Sequence, residues 1–358
     1  MSIILHSKRR FRGLFASYAL ETTRKRVRTN RGKERNAGGL SRLIANLIPV
    51  LALACSPVPP HPEISPPVDG FSVDLAEAHL DAMSELSPRL PGSEADQAVR
   101  SYLIREFGLA GAEAQWIPEG GRDHLLAEVR GAFEDRVLLV APYSLMGSNE
   151  WVDDSGAALF LELVRYFSRH PPLYTLQFAL ADTRPAGFSD VPRGAEAPEG
   201  GLGAAGAVET REWVSEAGRS LAGAMADRSE SSGIRAVIAF EPRAGSHPRM
   251  ARDLKSHPVY RSIFWQSAAA LGYEDVFSPD AGWSSTEGLQ TAFQGQGLGR
   301  VLALVDERIA RAELHEGLGR PGLGDERGPV GLEPTGRVTI EALTRLMRRF
   351  EKMDAFSQ

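Results

Sequence analysis

The sequence predicts an α/β fold, a three-layer α/β/α sandwich with a mostly parallel, mixed central sheet. Short apolar runs alternate with segments of helical periodicity through most of the chain, and this alternation favours a sheet covered by helices on both faces. The composition is typical of a globular protein, since 42% of the 358 residues are hydrophobic and 24% are charged. These values exclude a disordered, collagen-like or coiled-coil protein.

Hydrophobic periodicity places the individual elements. A turn at 89–93 separates the first two helices, and Ser93 is predicted to cap the second. Gly and Pro crowd 185–206 and 317–336, which predicts surface insertions. Ligands of such sheets bind at loops that leave the carboxyl ends of strands, so we expect the functional site there. The predicted helices are 74–87, 94–108, 157–167, 204–216, 257–271 and 338–350, and the predicted strands are 124–129, 137–141, 173–181, 236–240 and 301–305.

Charge is divided unevenly along the chain, whose formal net charge is −5. Residues 1–54 contain 12 Lys and Arg and two acids, so this stretch carries +10 and the remaining residues carry −15. Proteins bind nucleic acids mainly through Lys and Arg, so a body this acidic predicts no nucleic-acid partner. The single cysteine, Cys55, excludes an internal disulfide framework and a cysteine-rich zinc site.

An apolar run of twelve residues, 43–54, follows the basic stretch. It is too short to span a bilayer, which needs about 20 apolar residues, and it matches the apolar region of a signal peptide. The run ends in Ala-Leu-Ala directly before Cys55, which resembles a bacterial lipobox. The resemblance implies that Cys55 is lipidated and anchors the protein in the cell envelope, and Ser56 implies the outer membrane. The alternative is a plain secretory signal followed by a free cysteine.

These features divide the chain into three predicted regions. Residues 1–54 are the basic leader and signal peptide, 55–72 a lipidated cysteine with a Pro-rich tether, and 73–358 the folded domain. The tether prediction rests on six prolines between 56 and 68, which favour a stiff polyproline segment. Such a spacer suits a domain attached to a membrane surface.

Seven short motifs follow one another along residues 74–352. Their order and spacing resemble the co-catalytic zinc aminopeptidases and the related glutaminyl-peptide cyclotransferases. The resemblance implies a zinc-exopeptidase-like fold and, in an intact member, catalysis by zinc together with a carboxylate that moves protons. The motifs are RLPGS at 89–93, HLLAEVRG at 124–131, VLLVAPY at 137–143, DDSGAALFLE at 153–162, LQFALAD at 176–182 with GLGAAG at 201–206, AFEPRAG at 239–245, and ELHE at 313–316.

Three metal ligands of the family have counterparts in this sequence. The resemblance implies that the Asp that bridges two zinc ions corresponds to Asp153, or to Asp154 because the motif is one residue shorter here. It also implies that a second Asp corresponds to Glu241 and that the last His corresponds to His315. We interpret these residues as remnants of a metal site.

The other positions of the implied metal site are lost. The first His of the family falls on Pro142, which has no donor atom, and the adjacent general base and ligand Glu fall on Arg184 and Pro185. Arg184 stays protonated and cannot accept a proton. Each implied zinc ion then keeps only two protein ligands, fewer than the three that catalytic zinc normally takes. We therefore expect no cofactor, with zinc bound only if the site is rearranged.

Several neighbouring residues have both a functional and a structural interpretation. The insertion at 185–203 carries acids that either replace the lost ligand and base or are simply solvated. Asp153 and Asp154 precede a predicted helix, where carboxylates stabilise exposed backbone N–H groups without a metal. Four aromatic residues either line a substrate pocket or pack in the core. The acids are Asp190, Glu196 and Glu199, and the aromatic residues are Trp151, Trp265, Trp283 and Phe277.

The sequence leads to functional hypotheses of different classes. The first is an exported lipoprotein whose aminopeptidase-like domain is inactive and binds a peptide or protein N-terminus, or acts as a scaffold. The second is an active metallo-exopeptidase or glutaminyl cyclase with a rearranged site of Asp153, Glu241, His315 and an acid from 185–203. Hydrolysis without a metal is a third hypothesis, but no nucleophile is assigned, since Ser155 lacks the G-x-S-x-G setting of a hydrolase.

Overall fold

The structure is a computed structural model in which helices cover both faces of an eight-stranded mixed sheet. It describes residues 58–63, 70–86, 89, 92–143, 145–146, 152–184, 206–228, 231–240, 248–285, 287–307 and 331–356. The helices in these ranges are α1 Val73–Ser84, α2 Glu94–Ala110, α3 Ser155–Arg169, α4 Gly206–Asp227, α5 Pro258–Leu271, α6 Leu289–Gly295 and α7 Leu332–Phe356. The strands are β1 Glu113–Glu119, β2 Arg122–Val129, β3 Phe133–Tyr143, β4 Leu145–Met146, β5 Val152–Asp153, β6 Tyr174–Asp182, β7 Ile234–Phe240, β8 Met250–Asp253, β9 Trp283–Ser284 and β10 Val301–Asp306.

Four parallel strands form the middle of the sheet, whose order is β1-β2-β6-β3-β7-β10-β8-β9. Strands β6, β3, β7 and β10 are parallel, whereas β1 and β2 extend the sheet antiparallel on one side and β8 pairs antiparallel with β10 on the other. Strands β4 and β5 form a separate pair. The last aligned pair of β3 and β6 is Tyr143 and Asp182, so the carboxyl ends of these central strands lie side by side.

The two faces of the sheet pack against different helices. In β3, Leu139 and Ala141 join a core with α1, α2, α3, α5 and α7, while Leu138 and Val140 join a core with α4 and α6. All nine residues of β6 are buried, as expected for a central strand of a parallel sheet. The predicted three-layer α/β/α sandwich with a mixed sheet is therefore confirmed.

The predicted helices and strands are all present, although several boundaries differ. The second helix begins after Ser93, whose Oγ accepts a hydrogen bond from the Asp96 N–H at 3.1 Å, so the predicted cap is confirmed. Helix α4 continues to Asp227, eleven residues beyond its predicted end, and α7 begins at Leu332 within a segment predicted as an insertion. Both extensions pack in the core, where Leu221 of α4 and Leu332 of α7 are fully buried.

The elements that the sequence analysis did not predict are short or lie at the sheet edges. Strand β1 is an edge strand whose three exposed positions are Glu113, Gln115 and Pro118, a composition that hides a strand signal. Strands β8 and β9 have four and two residues, and α6 has seven. Segments this short give too few positions for a period to be recognised.

Parts of the predicted tether contact the folded domain. Val58 packs against the helical core, the His61 Nδ1 lies 2.6 Å from the Glu106 Oε2, and the Arg165 Nη2 donates to the Gly70 carbonyl at 2.7 Å. The leader, Cys55 and residues 64–69 lie outside the described residues, so the region boundaries stay predictions. No helix in the described ranges is both long enough and apolar enough to cross a bilayer.

Candidate functional site

The candidate site lies where β3 and β6 end and α3 begins. The Thr183 N–H and Oγ1 both donate to the Tyr143 carbonyl, at 3.1 and 2.9 Å, and this holds the two strand ends together. Gly156 lets α3 start directly against β3, because a Cβ at this position would lie 2.6 Å from the Ala141 Cβ. The glycine of the DDSG motif therefore serves close packing at the site.

Arg184, which occupies the implied general-base position, is buried in a network of ion pairs. Its Nε and Nη2 donate to the two carboxylate oxygens of Asp182 at 2.8 and 2.7 Å, and its Nη1 donates to the Asp96 Oδ1 at 2.7 Å. Burial by itself lowers the pKa of Arg184, but the hydrogen bonds and charge of Asp182, with the charge of Asp96, raise it above its ordinary value. Arg184 is therefore a permanent cation, and each of its three side-chain nitrogens donates a hydrogen bond to a carboxylate.

Backbone groups fix the two carboxylates that hold Arg184. Asp182 accepts from the N–H groups of Asp123 and Arg184, both at 3.1 Å, and Asp96 accepts from the Gly92 N–H at 2.9 Å. Arg122 adds a further link, since its Nε donates to the Arg184 carbonyl at 3.0 Å. These contacts leave the network little freedom to rearrange around an ion.

A second buried arginine holds the aspartate at the start of α3. Arg89 Nη1 donates to the Asp154 Oδ1 at 3.0 Å, Nη2 donates to Oδ2, and Nη2 also donates to the Met83 carbonyl at 2.5 Å. Burial lowers the pKa of Arg89, but the charge and hydrogen bond of Asp154, with the charge of Asp96, outweigh it and raise the pKa. Both oxygens of Asp154 thus bind a guanidinium.

The prediction that the Asp154 carboxylate binds backbone N–H groups at the start of α3 is wrong. Asp154 is the N-cap residue of α3, but its side chain makes no capping hydrogen bond. Its carboxylate turns to Arg89 because a fully buried carboxylate needs a cation more than an N–H partner. Because Arg89 binds both Asp154 oxygens, they are not free for a metal, and the correspondence of Asp153 with the bridging ligand stays a prediction.

We name the five charged residues Arg89, Asp96, Asp154, Asp182 and Arg184 the edge cluster. All five are buried, and their formal charges add to −1. Asp96 links the two halves, since it binds Arg184 and its charge also acts on Arg89. In the sequence, Arg89 and Asp182 belong to two of the seven motifs, whereas Asp96 belongs to none and was not predicted as a site residue. A signal for Asp96 exists in the S-x-x-D spacing from Ser93, which is typical of a capping box.

The structure locates some of the predicted site residues and leaves others outside its described part. Pro142 lies in β3 opposite Ala181, beyond the last β3–β7 pair at Val140 and Ala239, where a missing N–H is tolerated. Asp153 ends β5, but its side chain is not among those described. Eight further predicted residues fall outside the described ranges. These are Cys55, Trp151, Pro185, Asp190, Glu196, Glu199, Glu241 and His315.

A histidine and a serine that the sequence analysis did not pair lie beside the edge cluster. His124 Nδ1 accepts from the Asp182 N–H at 3.0 Å, and its Nε2 lies 3.0 Å from the Ser220 Oγ. Burial lowers the pKa of His124 to about 4, so the ring is neutral and carries its proton on Nε2. Ser220 then accepts from His124 and donates to the Glu119 carbonyl at 3.1 Å.

Because the proton of the His124 ring is on Nε2, which faces Ser220, His124 cannot act as a base for Ser220. A catalytic histidine must accept the serine proton on the nitrogen that faces it, whereas here that nitrogen is the donor. His124 and Ser220 form a structural chain of hydrogen bonds in which each donates one proton, His124 to Ser220 and Ser220 to the Glu119 carbonyl. It supplies no nucleophile for hydrolysis without a metal.

Three of the four candidate pocket aromatics lie in the described residues. Trp265 donates from Nε1 to the Ser278 carbonyl at 3.0 Å, and its ring meets Phe277 edge-on with 5.4 Å between centroids. These two residues pack in or against the core. Trp283 is 50% exposed, and the guanidinium of Arg261 lies 4.6 Å from its ring centroid. The core interpretation therefore holds for Trp265 and Phe277, and Trp283 is a surface residue.

Comparison with known proteins identifies the fold but no close relative. No family model matches the chain, and no curated protein matches it significantly. Many solved structures match, and three examples match over nearly their full length. They are Porphyromonas gingivalis glutaminyl cyclase (18% identity, 77% of this chain and 99% of that chain, TM-score 0.58), a leucine aminopeptidase precursor from Bacteroides thetaiotaomicron (14%, 78% and 99%, 0.56) and a Zn-dependent exopeptidase from Parabacteroides distasonis (16%, 78% and 99%, 0.52).

The chain therefore has the fold shared by zinc exopeptidases and glutaminyl cyclases, and its low identity to these structures is that of a divergent example. The resemblance predicted from the seven motifs is confirmed at this level. Zinc does not fit the described part of the site, where Pro142 offers no donor atom and both Asp154 oxygens are bound by Arg89. No three His, Cys, Asp or Glu side chains of the described residues are grouped to hold a metal.

Proposed function

We propose that this domain is a non-catalytic module that binds a peptide or protein N-terminus, or acts as a scaffold, in a lipid-anchored protein of the cell envelope. The observation that carries the proposal is the state of Arg184. Hydrolysis by a zinc exopeptidase needs a carboxylate that accepts a proton, and this position holds a guanidinium kept protonated by Asp182 and Asp96. A proton acceptor is thus replaced by a fixed cation.

The losses at the metal positions support the same proposal. Pro142 cannot bind a metal, and the Asp154 carboxylate is bound by Arg89. A working site would have to be assembled from Asp153, Glu241 and His315 with a new fourth partner. The fold itself is kept although these residue types are lost, and a fold does not by itself fix a function, so loss of the chemistry is compatible with a binding or scaffold role.

Zinc content and activity of the purified protein test the proposal directly. Protein purified without added metal should contain far less than one zinc per chain. It should neither hydrolyse aminoacyl-arylamides nor cyclise a peptide with N-terminal Gln, and His315→Ala should change neither result. One equivalent of zinc with chelator-sensitive activity that His315→Ala abolishes would instead establish the active exopeptidase or cyclase.

Two further measurements test binding and anchoring. A peptide ligand recognised through its free N-terminus should lose affinity when that N-terminus is acetylated, as measured by fluorescence anisotropy with paired peptides. Labelling of growing cells with a radioactive fatty acid should mark the parent protein and not Cys55→Ser. Export of an unlabelled parent protein would favour a plain secretory signal.

A further inference from the structure

The edge cluster poses a charge problem that the fold has to solve. Three of its members are aspartates with almost no solvent exposure, and ionised carboxylates are buried in proteins only when a cation or several donors compensate them. Here the positive charge comes from two side chains, Arg89 and Arg184, which are 1% and 5% exposed.

The geometry around Arg184 is that of a built cation pocket. Asp182 meets the guanidinium with both oxygens, Asp96 meets a third nitrogen, and all three distances are 2.7–2.8 Å. The pocket walls are fixed by backbone donors from Gly92 and Asp123. An arginine provides a planar fork that matches two carboxylates at once, so the side chain fills the pocket with both charge and shape.

We propose that Asp96 and Asp182 form a cation pocket that the chain fills itself, with Arg184 as a built-in cation at the position implied for a proton acceptor. The folded state is then independent of metal. This inference concerns how the edge is stabilised, and it does not depend on what the domain binds. The position inherited from a general base has become a structural anchor.

Chemical rescue of Arg184→Ala tests the pocket. Removing one partner of a buried ion pair should lower the melting temperature of a domain of about 300 residues by about 5–8 °C. Guanidinium chloride at about 20 mM, far below the molar concentrations that unfold proteins, should enter the empty pocket and recover at least half of the loss. Sodium chloride at equal ionic strength should not.

A buried leucine supplies the matched control. Leu103→Ala also creates a cavity, since Leu103 is fully buried in the helical core, but it removes an apolar side chain and no cation. The melting temperature of Leu103→Ala should fall by a similar amount, and guanidinium chloride should not raise it. Equal rescue of both variants, or no rescue of Arg184→Ala, would overturn the proposal.

Arg184→Lys keeps the test decisive if the alanine variant does not fold. A lysine retains the charge but loses the fork, so its loss of melting temperature should be less than half that of an uncharged Arg184→Met. Equal losses would mean that the pocket does not require a cation. For the parent protein, EDTA or zinc chloride should move the melting temperature by less than about 1 °C, and a rise of about 5 °C with zinc would contradict metal independence.

Discussion

Replacing Arg184 with glutamate, the residue type expected of a general base, should unfold this domain. The substitution removes the cation between Asp96 and Asp182, which lie 2.7–2.8 Å from its nitrogens. It also adds a third carboxylate to the same buried space. A variant designed to restore a zinc site, Pro142→His with Arg184→Glu and Pro185→Glu, carries this defect with it.

The expected loss is comparable with the whole stability of a domain. Leaving a buried ion pair without one partner costs about 3–5 kcal/mol, and two carboxylates about 4 Å apart repel by about 4 kcal/mol at an effective dielectric constant of 20. With two such contacts, the sum exceeds about 10 kcal/mol, against a typical total of about 5–15 kcal/mol. A glutamate at 184 reduces this loss only by taking up a proton, and it then cannot serve as a base.

Neutralising the two aspartates should reverse the effect. Arg184→Glu combined with Asp96→Asn and Asp182→Asn removes the repulsion, so this triple variant should fold where the single variant does not. Arg337→Glu is the matched control, because Arg337 is 51% exposed and pairs with Glu333 on the surface of α7. That change should cost less than about 1 kcal/mol.

Soluble yield and urea unfolding followed by circular dichroism measure these differences. A soluble, cooperatively unfolding Arg184→Glu protein within about 1 kcal/mol of the parent would refute the reasoning. It would mean that the carboxylates separate or hydrate when the arginine leaves. The zinc-restoring variant should be tested only on the background with Asp96 and Asp182 neutralised.

Three other perturbations follow from the same geometry. Asp154→Asn should cost about 3 kcal/mol in urea unfolding, because the buried Arg89 loses its counter-charge, and a change below about 0.5 kcal/mol would contradict this. Gly156→Ala should cost about 1–3 kcal/mol, since the new methyl group would lie 2.6 Å from the Ala141 Cβ; an unchanged melting temperature would show that α3 can shift. Burial lowers the pKa of His124 to about 4 from its ordinary value of 6.5, so the unfolded state binds more protons between these two pH values. Stability should therefore fall by up to about 3 kcal/mol as the pH drops from 6.5 to 4. His124→Asn should have a flatter pH profile, and an identical profile would exclude this role.

Local pattern was sufficient for most of the fold. The apolar runs that became β3 and β6 and the periodic segments that became α2 and α3 are local signals, because burial repeats every two or 3.6 residues. Edge strand β1 was not predicted, because one side of it faces solvent and Pro118 interrupts the alternation of apolar and polar residues. The order of the motifs was enough to identify the fold despite identities of 14–18% to the solved structures named above.

The candidate site was predictable only in part. The sequence is enough to recognise that Pro142 cannot bind zinc and that Arg184 cannot accept a proton, since both statements depend on residue type alone. It did not reveal the partners of Arg184, because nothing in a sequence says which carboxylate an arginine meets across the fold. The roles of Asp153, Glu241 and His315 stay predictions, as their side chains lie outside the described residues.

By itself, the sequence determined the layered α/β fold, the residue types at the implied site positions and the uneven charge along the chain. Only the tertiary structure decided how the remaining charges are satisfied. Arg89 and Asp154 are 65 residues apart in sequence and Arg184 and Asp96 are 88 apart, yet burial brings each pair into direct contact. Hydrophobic periodicity is a local property that a sequence displays, whereas the choice of ion-pair partner depends on three-dimensional packing and on the cost of burying an uncompensated charge.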